Sequence, residues 1–193
     1  MRHIVFLIAG LLPISAHAQD TRGRPMDQMQ GDCSNFATDL DQELAMMRAP
    51  VTTVSASISL DRSAIAPQGA FELTLNPQDK VQFPVTPARE RGNSNTFAGI
   101  VSLGDLPAGL WRISADNGAW IDLVAEGKIL ASPEFEMQTK CAELFKTVVF
   151  EQPHNSPTFL QISGSRNPAI RITVTRYGTK DSPNVKKQSS APH

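Results

Sequence analysis

Residues able to do chemistry are sparse in this 193-residue chain. His154 has the side chain of a general base. It sits in the proline-bounded run Gln152-Pro153-His154-Asn155-Ser156-Pro157 and reads as an exposed loop histidine. No GxSxG elbow and no HExxH pair occurs, so neither a serine-hydrolase nor a zincin constellation is spelled out. Ser163-Gly164-Ser165 reads as a strand-end turn. Cys33 with His154 would make a thiol nucleophile and base, but Cys141 offers Cys33 a competing disulfide. Glycosidases need two carboxylates across a cleft. Asp122, Glu126, Glu134 and Glu136 are close in sequence, yet strand alternation sets Glu134 and Glu136 on one side and Phe135 and Met137 on the other. No residue is assigned a catalytic role.

Binding is the better-supported class. Calcium takes about six to eight oxygen ligands, and Asp105, Asp116, Asn117, Asp122 and Glu126 lie near turns. Asp116 and Asp122 are the possible metal ligands, but no DxDxDG loop organises them. No cofactor is expected, calcium being the one ion considered. Trp120 and Asp122 are possible ligand-binding residues: Ile121 and Leu123 alternate to one face, leaving Trp120 and Asp122 on the other. An outward Trp beside a carboxylate suits sugar stacking or a partner interface. The preferred alternative is a Trp covered by an N-terminal helix. The run from Arg89 through Arg91 and Asn93 to Asn95 reads as a hairpin loop, and Arg89, Arg91 and Asn93 are its candidate ligand contacts.

A formal net charge of −1 and a pI near 6.4 exclude a nucleic-acid binder that depends on a basic field. The expected partner is an envelope protein or polysaccharide. Residues 1–18 read as a secretory signal peptide: Arg2 and His3, an apolar run from Ile4 to Leu12, then Ala16-His17-Ala18 before a cut at Gln19. The run is too short to span a bilayer, which takes roughly 20 apolar residues, and no later stretch is apolar enough. A periplasmic or secreted location is expected. In that compartment the two cysteines, Cys33 and Cys141, tend to pair. Free thiols or a metal pair are the alternatives, the latter short of ligands without a CxxC or a neighbouring His.

These residues need elements to hold them. Residues 19–31 are polar and read as a flexible lead-in. Phe36, Leu40, Leu44 and Met47 recur at helical spacing, predicting one helix from Ser34 to Arg48, with Asp32 or Ser34 as N-cap and a stop before Pro50. The period then changes to two. Strands are predicted around 54–60, 71–75, 81–85, 96–103, 109–114, 119–124, 128–131, 145–151, 158–163 and 170–175. Asp116-Asn117-Gly118 reads as a tight hairpin turn. Short amphipathic strands at regular spacing predict an antiparallel β-sandwich, jelly-roll-like, with one N-terminal helix. The domain spans 32–177, followed by a disordered tail over 178–193.

The half from Phe97 to Arg176 resembles bacterial pre-peptidase C-terminal-type domains through "LPAGLWRISA", "AWIDLVAEGKIL", "FLQISGS" and "IRITVTR". Leu110-Trp111-Arg112-Ile113 and Phe159-Leu160-Gln161-Ile162 stand at the places of that family's paired strand motifs. The resemblance implies a β-sandwich and a non-catalytic accessory role beside a secreted enzyme. The whole chain also looks like short secreted proteobacterial proteins that sometimes carry the label homogentisate 1,2-dioxygenase. That activity holds iron with two His and a carboxylate. Beyond the signal segment only His154 and His193 remain, so the ligand set is absent. The sequence therefore reads as an exported, non-catalytic binding or accessory module. A carbohydrate- or calcium-binding module is the alternative; a hydrolase or dioxygenase is the least supported.

Overall fold

The computed structural model describes residues 26–60, 63–89 and 95–178. The signal segment, the first part of the lead-in and the tail beyond Gly178 lie outside the described residues.

Eleven strands form two packed sheets. They are β1 (Thr52–Ser55), β2 (Gly69–Thr74), β3 (Asn76–Pro77), β4 (Phe97–Leu106), β5 (Gly109–Ala115), β6 (Trp120–Ala125), β7 (Lys128–Ile129), β8 (Glu134–Met137), β9 (Lys146–Gln152), β10 (Ser156–Ser165) and β11 (Ala169–Tyr177). The larger sheet runs β1-β2-β11-β5-β9-β8 and the smaller β3-β4-β10-β6-β7. The period-two pattern has a direct outcome here. Ile170, Ile172 and Val174 of β11, Ile113 of β5 and Val148 of β9 are fully buried, facing Ile121, Leu123, Leu160 and Ile162 from the other sheet. Register stacks the same residues in rows: Ile113 opposes both Val174 and Val148, while Leu160 opposes Leu123. The molecule is the expected β-sandwich.

Several local expectations are corrected. Asp116-Asn117-Gly118 is not a hairpin turn, because β5 and β6 belong to different sheets. Asn117 Oδ1 accepts from Ala119 N–H (3.0 Å), a local Asx bond that redirects the chain across the sandwich. The tight hairpin is one loop later, at Glu126 (φ 51°) and Gly127 (φ 70°) between β6 and β7. Two consecutive positive φ values suit a two-residue turn that follows strand twist.

The run 54–60 is not one strand. Thr52–Ser55 pairs with β2, and in parallel, an exception to the antiparallel expectation; Ser57 bridges to Ile100 in the other sheet. Gly99 permits this crossing, since a Cβ there would lie 2.4 Å from Ala56 Cβ. The predicted strand at 81–85 is irregular chain. Pro84 lacks an N–H for a ladder, and its neighbours bond singly, Gln82 N–H to Ile58 O and Gln161 Nε2–H to Val85 O. Strand β8 lies outside the ten predicted runs, being four residues long with two glutamates, although the alternation of Glu134 and Glu136 with Phe135 and Met137 is that of a strand.

The helix from Ser34 to Arg48 is two pieces. Cys33–Asn35 is a 3-10 turn, closed by a reciprocal cap in which Asp32 accepts from Ser34 N–H and Asn35 Oδ1 accepts from Asp32 N–H. Phe36 is extended (φ −65°, ψ 136°). Glu136 of β8 accepts from Ala37 and Thr38 N–H (2.7 and 3.2 Å), drawing off donors a helix would use. Helix α1 is Asp41–Arg48. Phe36, Leu40 and Leu44 nevertheless gather with Cys141 and Leu144 in a second apolar cluster. The end of the lead-in is also anchored: Met29 is buried, and Met29 O and Gly31 O accept from Thr139 and Lys140 N–H.

Cys33 and Cys141 form a disulfide with a sequence separation of 108. It ties the arm of residues 26–48 to the loop between β8 and β9. Closing so long a loop removes unfolded-state entropy, up to about 4–5 kcal/mol in the chain-entropy model. Cys33→Ser/Cys141→Ser is expected to lower the urea midpoint markedly while the strand signal of the sandwich in circular dichroism is kept.

Candidate functional site

Two polar clusters occupy the outer faces of the sheets, and both are buried. The first contains the residues singled out from the sequence. Trp120 and Asp122 do share the outer face of β6, but Trp120 is 3% and Asp122 1% exposed. Trp120 Nε1–H donates to Asp122 Oδ1 (2.9 Å). Asp122 Oδ2 accepts from Ala88 N–H (3.1 Å) and from Gln161 Nε2–H (3.3 Å), the residue opposite it on β10. Arg89 stands 5.8 Å and Lys146 5.9 Å from the Trp120 ring centroid. Lys146 Nζ also donates to Ala119 O.

This corrects both readings of Trp120. The ring is neither an exposed platform nor covered by the N-terminal helix, which packs on β11 and β2 of the other sheet. The irregular segment 81–89 covers it. A sugar-stacking role requires an open ring face, which this packing removes. Arg89 is half-buried in the same cluster; Arg91 and Asn93 lie outside the described residues.

The calcium candidates do not assemble. Neither Asp116 nor Asp122 belongs to a group of three or more potential ligands within 4.8 Å of one another; among the described residues that spacing is met by Cys33, Cys141 and Glu143, whose two sulfurs are spent in the disulfide. Asp105 is exposed. Glu126 pairs with His154 instead (Oε1 to Nε2, 2.7 Å). Both side chains are more than half exposed, and such pairs contribute about 1 kcal/mol at most.

Asp116 is partly buried beside Arg171, and burial holds its carboxyl above the ordinary value of 3.8. Its Oδ1 has no hydrogen-bond partner. Tyr177 is likewise raised, by burial and by its bond to Glu134, which keeps the phenol a donor.

The second cluster was not legible in the sequence. Arg112 of β5 and Glu43 of α1 form an ion pair (Nη1 to Oε1, 3.2 Å) with side chains 3% and 4% exposed. Arg112 Nη1–H also donates to Asp39 O (3.0 Å). Thr175 Oγ1–H donates to the same Glu43 oxygen (2.6 Å). The guanidinium lies 4.5 Å from the Tyr177 ring centroid, and Tyr177 O–H donates to Glu134 Oε2 (2.9 Å). Arg112 Nε and Nη2 are buried without a hydrogen-bond partner. One signal could have found Glu43: it lies three residues after Leu40 and four before Met47, on the buried side of an amphipathic helix. Arg112 carried none, since it alternates to the outer face of β5 where solvent is the default.

A groove of about 460 Å³ is lined by Asp27, Met29, Asn35, Phe135, Glu136 and Gln138 where the arm meets β8. A smaller cleft of about 240 Å³ opens beside Glu43 and Arg112, with Asp39, Asp41 and Gln42 on its walls. No family model matches the chain, and no curated protein matches it.

Two outcomes follow. Asp122→Ala removes the acceptor shared by Trp120, Gln161 and Ala88, leaving the buried Trp120 Nε1–H without it, and is expected to cost roughly 2–3 kcal/mol in urea denaturation. Asp116 is protonated more readily folded than unfolded, so the fold loses stability as pH rises from 3.8 through the raised value. The Tm of Asp116→Asn should therefore gain on that of the parent between about pH 3 and pH 7.

Proposed function

We propose that the protein is an exported, non-catalytic β-sandwich that acts as a binding or accessory subunit on the outer side of the cytoplasmic membrane. The observation that carries this reading is the Cys33–Cys141 disulfide, a bond that persists in oxidising compartments. The signal-like N-terminal segment supports it. Among the described residues no helix is long and apolar enough to cross a membrane. The likeness to pre-peptidase C-terminal-type domains supports an accessory role.

Between the two binding classes, a protein partner is favoured over a glycan. Trp120, the one residue chosen as a sugar platform, is enclosed, and its carboxylate neighbour is saturated by protein donors. Recognition then falls to the arm and the surfaces it borders.

Expression with the native N-terminus in a Gram-negative host, followed by intact mass of the periplasmic fraction, tests the location. The expected species begins at Gln19 and takes up no alkylating reagent until reduced. A precursor mass, or two alkylated thiols before reduction, overturns the reading. Crosslinking in the same fraction tests the partner class: a discrete adduct with an envelope protein is expected, and retention on purified envelope polysaccharide without one would reverse the choice.

A further inference from the structure

Arg112 is a buried cation, 3% exposed, on the outer face of β5. A buried arginine needs an anion, and removing its partner is far costlier than exposing it in water. Here the anion comes from outside the sheet. Arg112, Thr175 and Tyr177 all stand on neighbouring strands β5 and β11, so the sheet builds their arrangement by itself. Glu43 is delivered by the arm.

The arm's apolar residues do not join the main core. Phe36, Leu40 and Leu44 pack with Cys141 and Leu144 of the loop. Hydrogen bonds join arm and sheet at Glu43 with Arg112 and Thr175, Asp39 O with Arg112, Glu136 with Ala37 and Thr38, and Met47 O with Arg171, while Met47 is also buried. Such a layer is separable from the sheet without opening the sandwich. The cleft of about 240 Å³ beside Glu43 and Arg112 gives the pair an approach from outside.

We propose that Arg112, Thr175 and Tyr177 form a carboxylate-binding site that the protein's own arm fills with Glu43 as an internal ligand. The partner it fits is an acidic polypeptide segment. The resident occupant is the template: one glutamate side chain, plus a main-chain carbonyl from four residues earlier, on the same guanidinium nitrogen. The two unpartnered donors, Arg112 Nε and Nη2, form the edge that takes a carboxylate in bidentate fashion. Glu43 does not use that edge, and because both nitrogens are buried it opens to another carboxylate only when the arm lifts. The disulfide holds the internal ligand at high effective concentration, which keeps the site closed while Cys33–Cys141 is intact. The partner half of this inference rests on the proposed protein-binding role; the site half rests on the geometry alone.

The test is chemical rescue. Oxidised Glu43→Ala is expected to melt several degrees below the parent, and sodium formate to restore part of that loss where equimolar sodium chloride does not. Glu43→Ala/Arg112→Met should show no such recovery. Formate acting no better than chloride overturns the site.

A second measurement does not depend on Glu43→Ala folding. The Cys33→Ser/Cys141→Ser protein is titrated with a synthetic peptide of residues 36–48. Binding is expected, with at least a tenfold loss for the peptide carrying Gln at position 43, and none to the disulfide-bonded parent. Equal binding of both peptides overturns the site, and stronger rescue by galacturonate than by formate overturns the polypeptide ligand. Rescue by formate without any crosslinked envelope protein would keep the site and remove the accessory role.

Discussion

Polar side chains buried on the outer faces of both sheets constrain the rest of this structure. A two-sheet sandwich ordinarily buries one face of each sheet and leaves the other to water. Here β6 is buried along its whole length, and β5 from Trp111 to Ala115. Each outer face carries charge: Asp122 on β6 and Arg112 on β5. Taking a charge out of water costs several kcal/mol unless hydrogen bonds and a counter-charge replace it. The covering segments are shaped by that demand. Segment 81–89 brings Ala88 N–H to Asp122, and the arm brings Glu43 to Arg112.

The two covers are held by different means. Segment 81–89 is threaded between β3 and β4 of the sheet it covers and returns single hydrogen bonds to it. The arm precedes every strand of the sandwich, and the bond from Cys33 to Cys141 adds a covalent tie to the backbone bonds at Met29 and Gly31. Its small apolar cluster, its polar contacts to the sheet and its disulfide together make a third layer on the larger sheet. That layer carries the groove along β8, the cleft at Glu43 and the ion pair.

The sandwich itself was legible from residue pattern. Alternation in Ile170-Arg171-Ile172-Thr173-Val174 places three branched side chains inward with no tertiary information, and each is fully buried. The pairing of Cys33 with Cys141 was legible for a similar reason: only two cysteines exist. Connections were less readable. Asn117-Gly118 has hairpin chemistry, yet whether it joins neighbours in one sheet or crosses between sheets depends on where β5 and β6 find partners. The positive φ angles fell instead at Glu126-Gly127.

Period and composition by themselves determined the class of fold and the inward residues of the regular strands, and narrowed the cysteines to one possible pair, because these follow from local geometry and from the scarcity of alternatives; Ile58 and Leu60, in a run that is not one strand, are exposed instead. Tertiary structure alone decided which outward residues meet water. An alternating strand marks two faces but not what covers the second one. Trp120 and Asp122 were therefore placed on the correct face, but the cover preferred for Trp120, the N-terminal helix, was the wrong one. Arg112 and Glu43 lie 69 positions apart, and no local rule relates a strand arginine to a helix glutamate across that distance. Only docking of the arm, driven by the apolar cluster and secured by the disulfide, brings the two charges into one buried site.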